Sequence, residues 1–164
     1  MASKYVLDAG AFYAGIPFLS SGSYYTTQAV FDEVKHIKGS HRAIEALLDS
    51  GNLQIVNPDH SHVKEVVATA KKTGDIAWLS PADLSIIALA LHLKATLMTD
   101  DYAAANVATF MEIPARSMSA KGIEEVRKWI TYCSACGKTF GPDAKECSLC
   151  GNRLKRKYRK KKVT

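Results

Sequence analysis

A chain of 164 residues with 47% hydrophobic content can form one ordinary domain plus a small appendage. No apolar run reaches the roughly eighteen residues of a membrane helix, so a spanning protein is not expected. The net charge of +6 hides a split: through Trp129 there are 12 Lys+Arg against 14 Asp+Glu, or −2, and from Ile130 onward 10 against 2, or +8. The basic segment is too short to bury a core of its own, and such charge density suits a polyanion: RNA, DNA or an anionic membrane surface. The opening MASKYVLDAG lacks the long apolar run of a secretory leader, so a cytoplasmic location is expected.

In chain order, KYVLDA reads as a short strand ending on Asp8, followed by a loop punctuated by Gly10, Gly15 and Gly22. TTQAVFDEVKHI predicts a helix capped by Thr26 or Thr27, with Ala29, Val30, Val34 and Ile37 on one face. SHRAIEALLDSG predicts a second helix, capped by Ser40 and stopped at Gly51. LQIVNP is a strand, and DHSHVKEVVATAKKTG a third helix closed by Gly74. SPADLSIIALALHLK carries the clearest helix signal, with Ser80 as cap and Pro81 in the first helical position. ATLMTDD is a strand, AAANVATFM a helix and IPARSM a last short strand. Strands separated by helices predict an α/β fold, a parallel sheet covered on both faces. The expected organisation is an α/β domain over 1–118, a helical linker over 119–129 (from KGIEEVRKWI), a cysteine module over 130–154 and a basic tail over 155–164.

All four cysteines lie in YCSACGKTFGPDAKECSLCGN. Cys133 and Cys136 form one CxxC, Cys147 and Cys150 another, ten residues apart, and each pair runs into a glycine, Gly137 or Gly151. A glycine turn after two thiolates lets backbone amides point at sulfur. Four thiolates complete a tetrahedral ion and leave no position for substrate, so the site is structural, with zinc expected and iron the competitor. Two disulfides would require a secreted chain. The segment reads as a zinc ribbon.

The acidic residues carry the other chemistry. Asp8 ends the first strand, while Asp100 and Asp101 end ATLMT. In an open parallel sheet the carboxyl ends of the strands form the binding crevice. Asp83 starts the helix before ATLMT, and Glu33 lies on a helix able to lean over the same edge. Carboxylates gathered without basic partners call for a hard divalent cation, Mg²⁺ or Mn²⁺. Each also has a plain role: SPAD is a capping box, Asp8 and Asp101 can open turns, and Glu33 can be a solvated helix acid. His36, His41, His60, His62 and His92 form no spaced pair with the cysteines, and His60 and His62 read as solvated. Thr99 could hold a water or phosphate, or be an ordinary strand-end threonine. No phosphate-binding glycine loop occurs, so ATP use is not expected.

YVLDAGAF, TTQAVFDEVK, SPADLSIIALA and LMTDDYAAANVA, in that order, resemble the motifs of PIN-domain nucleases. Followed by a four-cysteine ribbon and basic tail, the chain resembles, over nearly its whole length, the Nin-one-binding protein family in its compact archaeal form. These endoribonucleases mature the 3′ end of small-subunit ribosomal RNA. The resemblance implies a catalytic quartet of Asp8, Glu33, Asp83 and Asp101 holding Mg²⁺ or Mn²⁺, with Asp100 as an alternative fourth ligand. It also implies one structural Zn²⁺ on Cys133, Cys136, Cys147 and Cys150. The partners implied are small-subunit pre-rRNA, the precursor small ribosomal subunit and ribosome assembly factors. RNA contacts are expected from Arg153, Lys155, Arg156, Lys157, Arg159 and Lys160, with Tyr132, Phe140 and Tyr158 stacking on bases. Relatives often place Gln before the residue matching Asn106, where this chain has Ala105, which leaves that segment's part in substrate contact open. Three other readings remain: a toxin-type PIN ribonuclease with a small inhibitory partner, a non-catalytic RNA-binding assembly factor, and a DNA-binding ribbon protein.

Overall fold

The structure, a computed structural model, describes residues 3–19, 22–36, 41–118, 125–141 and 144–162, and for 125–129 and 158–162 the backbone alone. Five short strands form a parallel sheet: β1 (Lys4–Leu7), β2 (Ser23–Thr26), β3 (Leu53–Ile55), β4 (Thr96–Met98) and β5 (Ala115–Arg116). Their order is β3-β2-β1-β4-β5. The chain winds from β1 outward to β3, then crosses back to lay β4 on the other side of β1. That reversal opens a crevice at the carboxyl ends of β1 and β4.

The helices are α1 (Ala9–Tyr13), α2 (Ile16–Leu19), α3 (Gln28–Val34), α4 (His41–Asp49), α5 (His60–Thr73), α6 (Pro81–Leu93) and α7 (Tyr102–Phe110), with a 3₁₀ turn at Ile76–Trp78. α6 is apolar nearly all round, and Ile86, Ile87 and Leu89 are fully buried. A helix with no wet face belongs in the core, and each such side chain contributes about 1.5–3 kcal/mol by leaving water. It packs against α3, α5, α7, β1 and β4. Ser80 and Asp83 close a full capping box with Pro81 in the first turn, as the sequence predicts. Thr27, rather than Thr26, caps α3; the Thr26 hydroxyl donates to the Leu7 carbonyl across the sheet. Ile37 and the expected cap Ser40 lie outside the described residues. Among the described residues no helix is long and apolar enough to cross a membrane.

Two expectations are corrected. The stretch after Asp8 is more than a loop: it holds α1, α2 and the inner strand β2, which pairs with both β1 and β3. The linker over 119–129 is not helical where it is described. Residues Glu125–Tyr132 form strand β6, which pairs antiparallel with β8 (Lys155–Lys162) through eight residues, Glu125 opposite Lys162 to Tyr132 opposite Lys155. The basic tail is therefore one strand of a ribbon, and β7 (Thr139–Phe140) completes a three-stranded sheet, β7-β6-β8. Strand pairing has overridden a weak helical preference.

Candidate catalytic cleft and cysteine cluster

Three of the sequence-predicted acids sit at helix starts around the crevice. Asp8 follows β1 and caps α1, its Oδ1 accepting from the Ala11 N–H at 2.7 Å. Asp101 follows β4 and caps α7, its Oδ1 accepting from the Ala103 N–H at 3.0 Å. Asp83, in the first turn of α6, accepts through Oδ2 from the Ser80 N–H and hydroxyl at 2.8 and 2.9 Å. Helix N-termini favour negative charge, and short strands leading straight into helices deliver it there. Burial works against it. Asp8 is only 7% exposed, and desolvation raises its carboxyl above the ordinary range, with Asp83 and Asp101 adding repulsion against the hydrogen bonds from Thr99 and Ala11. Asp101 is raised in the same way, first by burial and then by Asp83 and Asp75. Asp8, Asp83 and Asp101 thus share one electrostatic environment that a cation would relieve.

Thr99 links two of them. Its hydroxyl, fully buried, donates to Asp8 Oδ2 at 2.5 Å and accepts from the Asp101 N–H at 3.0 Å. The sequence offers it only as a strand-end threonine; the structure makes it the tie between β1 and β4 carboxylates. Gly10 also stands close, since a Cβ there would lie 3.3 Å from Asp8 Oδ1.

The alternative ligand Asp100 is turned elsewhere: it is exposed, and its Oδ1 accepts from the Ser117 hydroxyl and from the Met118 N–H at 2.9 Å. Glu33 is exposed on α3 between buried Val30 and Val34, and among the described residues no contact ties it to the other acids. Thr27 Oγ1 lies 2.7 Å from Ser85 Oγ, which joins the start of its helix to the first turns of α6. Asn106 is fully buried, so its place is structural: Nδ2 donates to Asp75 Oδ2 at 2.6 Å, where the Thr73 hydroxyl also donates at 2.6 Å. Asp75, itself 1% exposed, was missed by sequence reasoning because its partner is 31 residues away and lies on another helix.

The four thiols meet at the end of the second sheet. Cys133 Sγ is 3.3 Å from Cys150 Sγ, Cys136 Sγ is 3.7 Å from Cys147 Sγ, and all four lie within 4.8 Å of one another. A tetrahedral ion with bonds of about 2.3 Å to sulfur wants its ligands about 3.8 Å apart, so the set fits one ion. None is in a disulfide. The two turns are alike: Gly137 N–H donates to Cys133 O and Gly151 N–H to Cys147 O, with positive φ at both glycines (75° and 72°). The Cys136 N–H lowers the Cys133 thiol to about 6, and the Cys150 N–H lowers Cys147. Cys136 and Cys150 receive the N–H groups of Lys138 and Asn152, yet the neighbouring sulfurs outweigh these and push Cys150 up to about 11. Without a cation, two of the four resist ionising.

The acids are spaced more widely: among the described residues, no three bring carboxylate oxygens within 4.8 Å of one another. Mg²⁺ and Mn²⁺ keep much of their water, and such spacing leaves room for it.

Of the expected RNA-binding residues, Arg153, Lys155, Arg156 and Lys157 are exposed. Arg156 is committed within the chain. Its Nη2 donates to the Gly74 carbonyl at the end of α5 at 2.9 Å, and its guanidinium lies 5.8 Å from the Trp78 ring centre. A cation at a helix C-terminus is favoured, so Arg156 fastens the ribbon to the α/β domain. Tyr132 is half-buried with Lys157 Nζ 4.5 Å from its ring centre, and Phe140 has Lys138 Nζ at 5.9 Å. The side chains of Tyr158, Arg159 and Lys160 lie outside the described residues.

Residues 5–93 match the family described as the PIN domain of ribonuclease. The chain is 38% identical over 161 residues to endoribonuclease Nob1 of Methanocaldococcus jannaschii, covering 96% of this chain and 79% of that protein. It is 37% identical over 159 residues to ribonuclease VapC1 of Thermoplasma acidophilum, covering 96% and 80%. A shorter stretch of 80 residues, 49% of this chain and 17% of the other, is 36% identical to the 20S-pre-rRNA D-site endonuclease NOB1 of Saccharomyces cerevisiae. A five-stranded parallel sheet with acids at its switch point, a four-cysteine ribbon behind it and likeness along nearly the whole chain together show that this protein belongs to the PIN-domain ribonucleases of the Nob1 family.

Proposed function

We propose that this protein is an endoribonuclease that hydrolyses precursor small-subunit ribosomal RNA near its 3′ end. The observation that carries the proposal is the convergence of Asp8, Asp83 and Asp101, two of them with carboxyls raised by burial and by neighbouring acids, at the crevice between β1 and β4. Asp8, Asp83 and Asp101, with Glu33 of α3 as the fourth acid, would hold Mg²⁺ or Mn²⁺. When bound there, such an ion would lower the pKa of a bound water, so that hydroxide forms to attack a phosphodiester, and would offset charge on the leaving oxygen. Thr99 keeps Asp8 aimed and lowers its pKa, and the three helix N-termini hold the carboxylates where an ion and a phosphate can meet them. With water as nucleophile the 2′-hydroxyl is not consumed, so the products carry a 3′-hydroxyl and a 5′-phosphate.

Cys133, Cys136, Cys147 and Cys150 would hold one Zn²⁺ and keep the ribbon folded. Arg153, Lys155 and Lys157, with Arg159 and Lys160 further along the same strand, would take the RNA backbone. The likeness to VapC1 covers as much of this chain as that to Nob1. The cysteine ribbon and basic strand favour an RNA-processing role over a toxin, whose action needs neither. Incubation with Mn²⁺ and an RNA spanning the 3′ end of small-subunit rRNA, followed by mapping of both product ends, tests the proposal. Cleavage at one position with 3′-hydroxyl and 5′-phosphate ends is expected; a 2′,3′-cyclic phosphate would refute water attack.

A further inference from the structure

Asp59, His62 and His92 stand outside both the acidic cleft and the cysteine cluster. Asp59 occupies the cap position of α5 yet makes no side-chain cap bond, although aspartate is among the best residues for that bond. Its carboxylate faces two imidazoles instead, with Oδ2 4.0 Å from His62 Nδ1 and 3.5 Å from His92 Nδ1. Those separations are long for hydrogen bonds. His62 Nδ1 is buried without a hydrogen-bond partner, a costly arrangement for an isolated imidazole. The two rings are 5.0 Å apart and tilted by 54°. His92 Nδ1 accepts from the Asp59 N–H at 3.3 Å, a long bond that an ion at this nitrogen would replace.

One ligand atom from each of the three residues lies within 4.8 Å of the other two. A tetrahedral ion with bonds of about 2.0–2.1 Å draws such atoms to roughly 3.4 Å, a closure that side-chain rotation supplies. The side chains of His62 and His92 are 30% and 29% exposed and that of Asp59 68%, which leaves a fourth position open to water. Two imidazole nitrogens and one carboxylate oxygen suit the zinc class of ions better than Mg²⁺ or Ca²⁺.

We propose that Asp59, His62 and His92 form a third metal site, which binds one zinc-class divalent transition-metal ion and clamps the start of α5 to the end of α6. His62, expected from the sequence to be solvated, is instead half-buried with its Nδ1 shielded from water. The two histidines are 30 residues apart, and only the antiparallel packing of α5 on α6 brings them together.

The test uses the full chain with its cysteine cluster zinc-loaded and excess Mg²⁺ present to occupy the acidic cleft, with Co²⁺ as the probe. In the wild-type protein, less than one equivalent of Co²⁺ should broaden the imidazole NMR signals of His62 and His92 before those of His36 and His41. Equilibrium dialysis should find one bound Co²⁺ per chain that His62→Ala and His92→Gln each lose and Asp8→Asn keeps. Signals of His62 and His92 that stay sharp at one equivalent overturn the proposal, and so does equal Co²⁺ binding by wild type and both histidine variants. The NMR arm needs no substitution, so a variant that fails to fold does not protect the idea.

Discussion

Replacing Thr99 by valine keeps the shape and β-branching of a fully buried strand-end residue and removes one oxygen. Two hydrogen bonds go with it: the one donated to Asp8 Oδ2 at 2.5 Å and the one accepted from the Asp101 N–H at 3.0 Å. A bond to a charged group contributes about 1.5–3 kcal/mol and an ordinary one about 1 kcal/mol, so the ion-free protein should lose about 3 kcal/mol at neutral pH. For a domain of this size that is roughly 10 °C in Tm. The Thr99 hydroxyl lowers the Asp8 pKa, so its loss raises a carboxyl that burial has already lifted above 3.8. A raised folded-state pKa means that stability falls as pH rises from 3.8 through the folded value; valine extends that window upward, and its cost should be smaller near pH 4 than at pH 7. Cleavage needs ionised Asp8, so the acid limb of the pH–rate profile should move to higher pH, with the plateau rate down about 10–100-fold as for other residues that orient a metal ligand. Single-turnover cleavage against pH, with urea unfolding at pH 4 and 7, measures both, and Thr99→Ser should restore the profile. A Thr99→Val protein with a wild-type acid limb and rate would refute the role given to this hydroxyl.

Cys147→Ser should remove the ion from the ribbon, seen by elemental analysis as the loss of one zinc per chain, while the α/β domain keeps its own cooperative unfolding transition. Asn106→Ala takes a buried donor from Asp75 and should cost about 2–4 kcal/mol in urea unfolding. Alanine at Arg153, Lys155 and Lys157 together should flatten the dependence of log K on log salt by about 2, at about 0.7 per phosphate on single-stranded RNA. Arg156→Ala should leave that slope nearly unchanged and lower Tm instead, because Arg156 is spent on Gly74 and Trp78.

What could be read from the sequence was local. The cap, proline and unbroken apolar run of SPADLSIIALALHLK predict α6, and strand–helix alternation predicts a parallel sheet with Asp8 and Asp101 at one edge. β2 escaped notice because SYYT has only four residues between Gly22 and a helix cap, too few to show a period. The linker misled because Ile123, Val126, Trp129 and Ile130 recur at helical spacing; its strand state depends on β8, which begins 30 residues after β6 does. Arg156 reads like its basic neighbours until Gly74 is placed beside it. Asp75 with Asn106, Thr99 with Asp8, and His62 with His92 are all long-range pairs. Residue type proposes each member, but only the packing of α5, α6 and α7 on β1 and β4 selects the partner.

Asp8→Asn asks whether the acids at the β1–β4 crevice cut RNA. Asparagine keeps the cap to Ala11 and the side-chain shape but removes one charge from a cluster strained by burial and repulsion. In Mn²⁺, single-turnover cleavage of RNA spanning the small-subunit 3′ end should fall at least about 100-fold. RNA affinity should be unchanged, because the ribbon is untouched. Cleavage by Asp8→Asn at near the wild-type rate would mean that these acids do not carry the reaction.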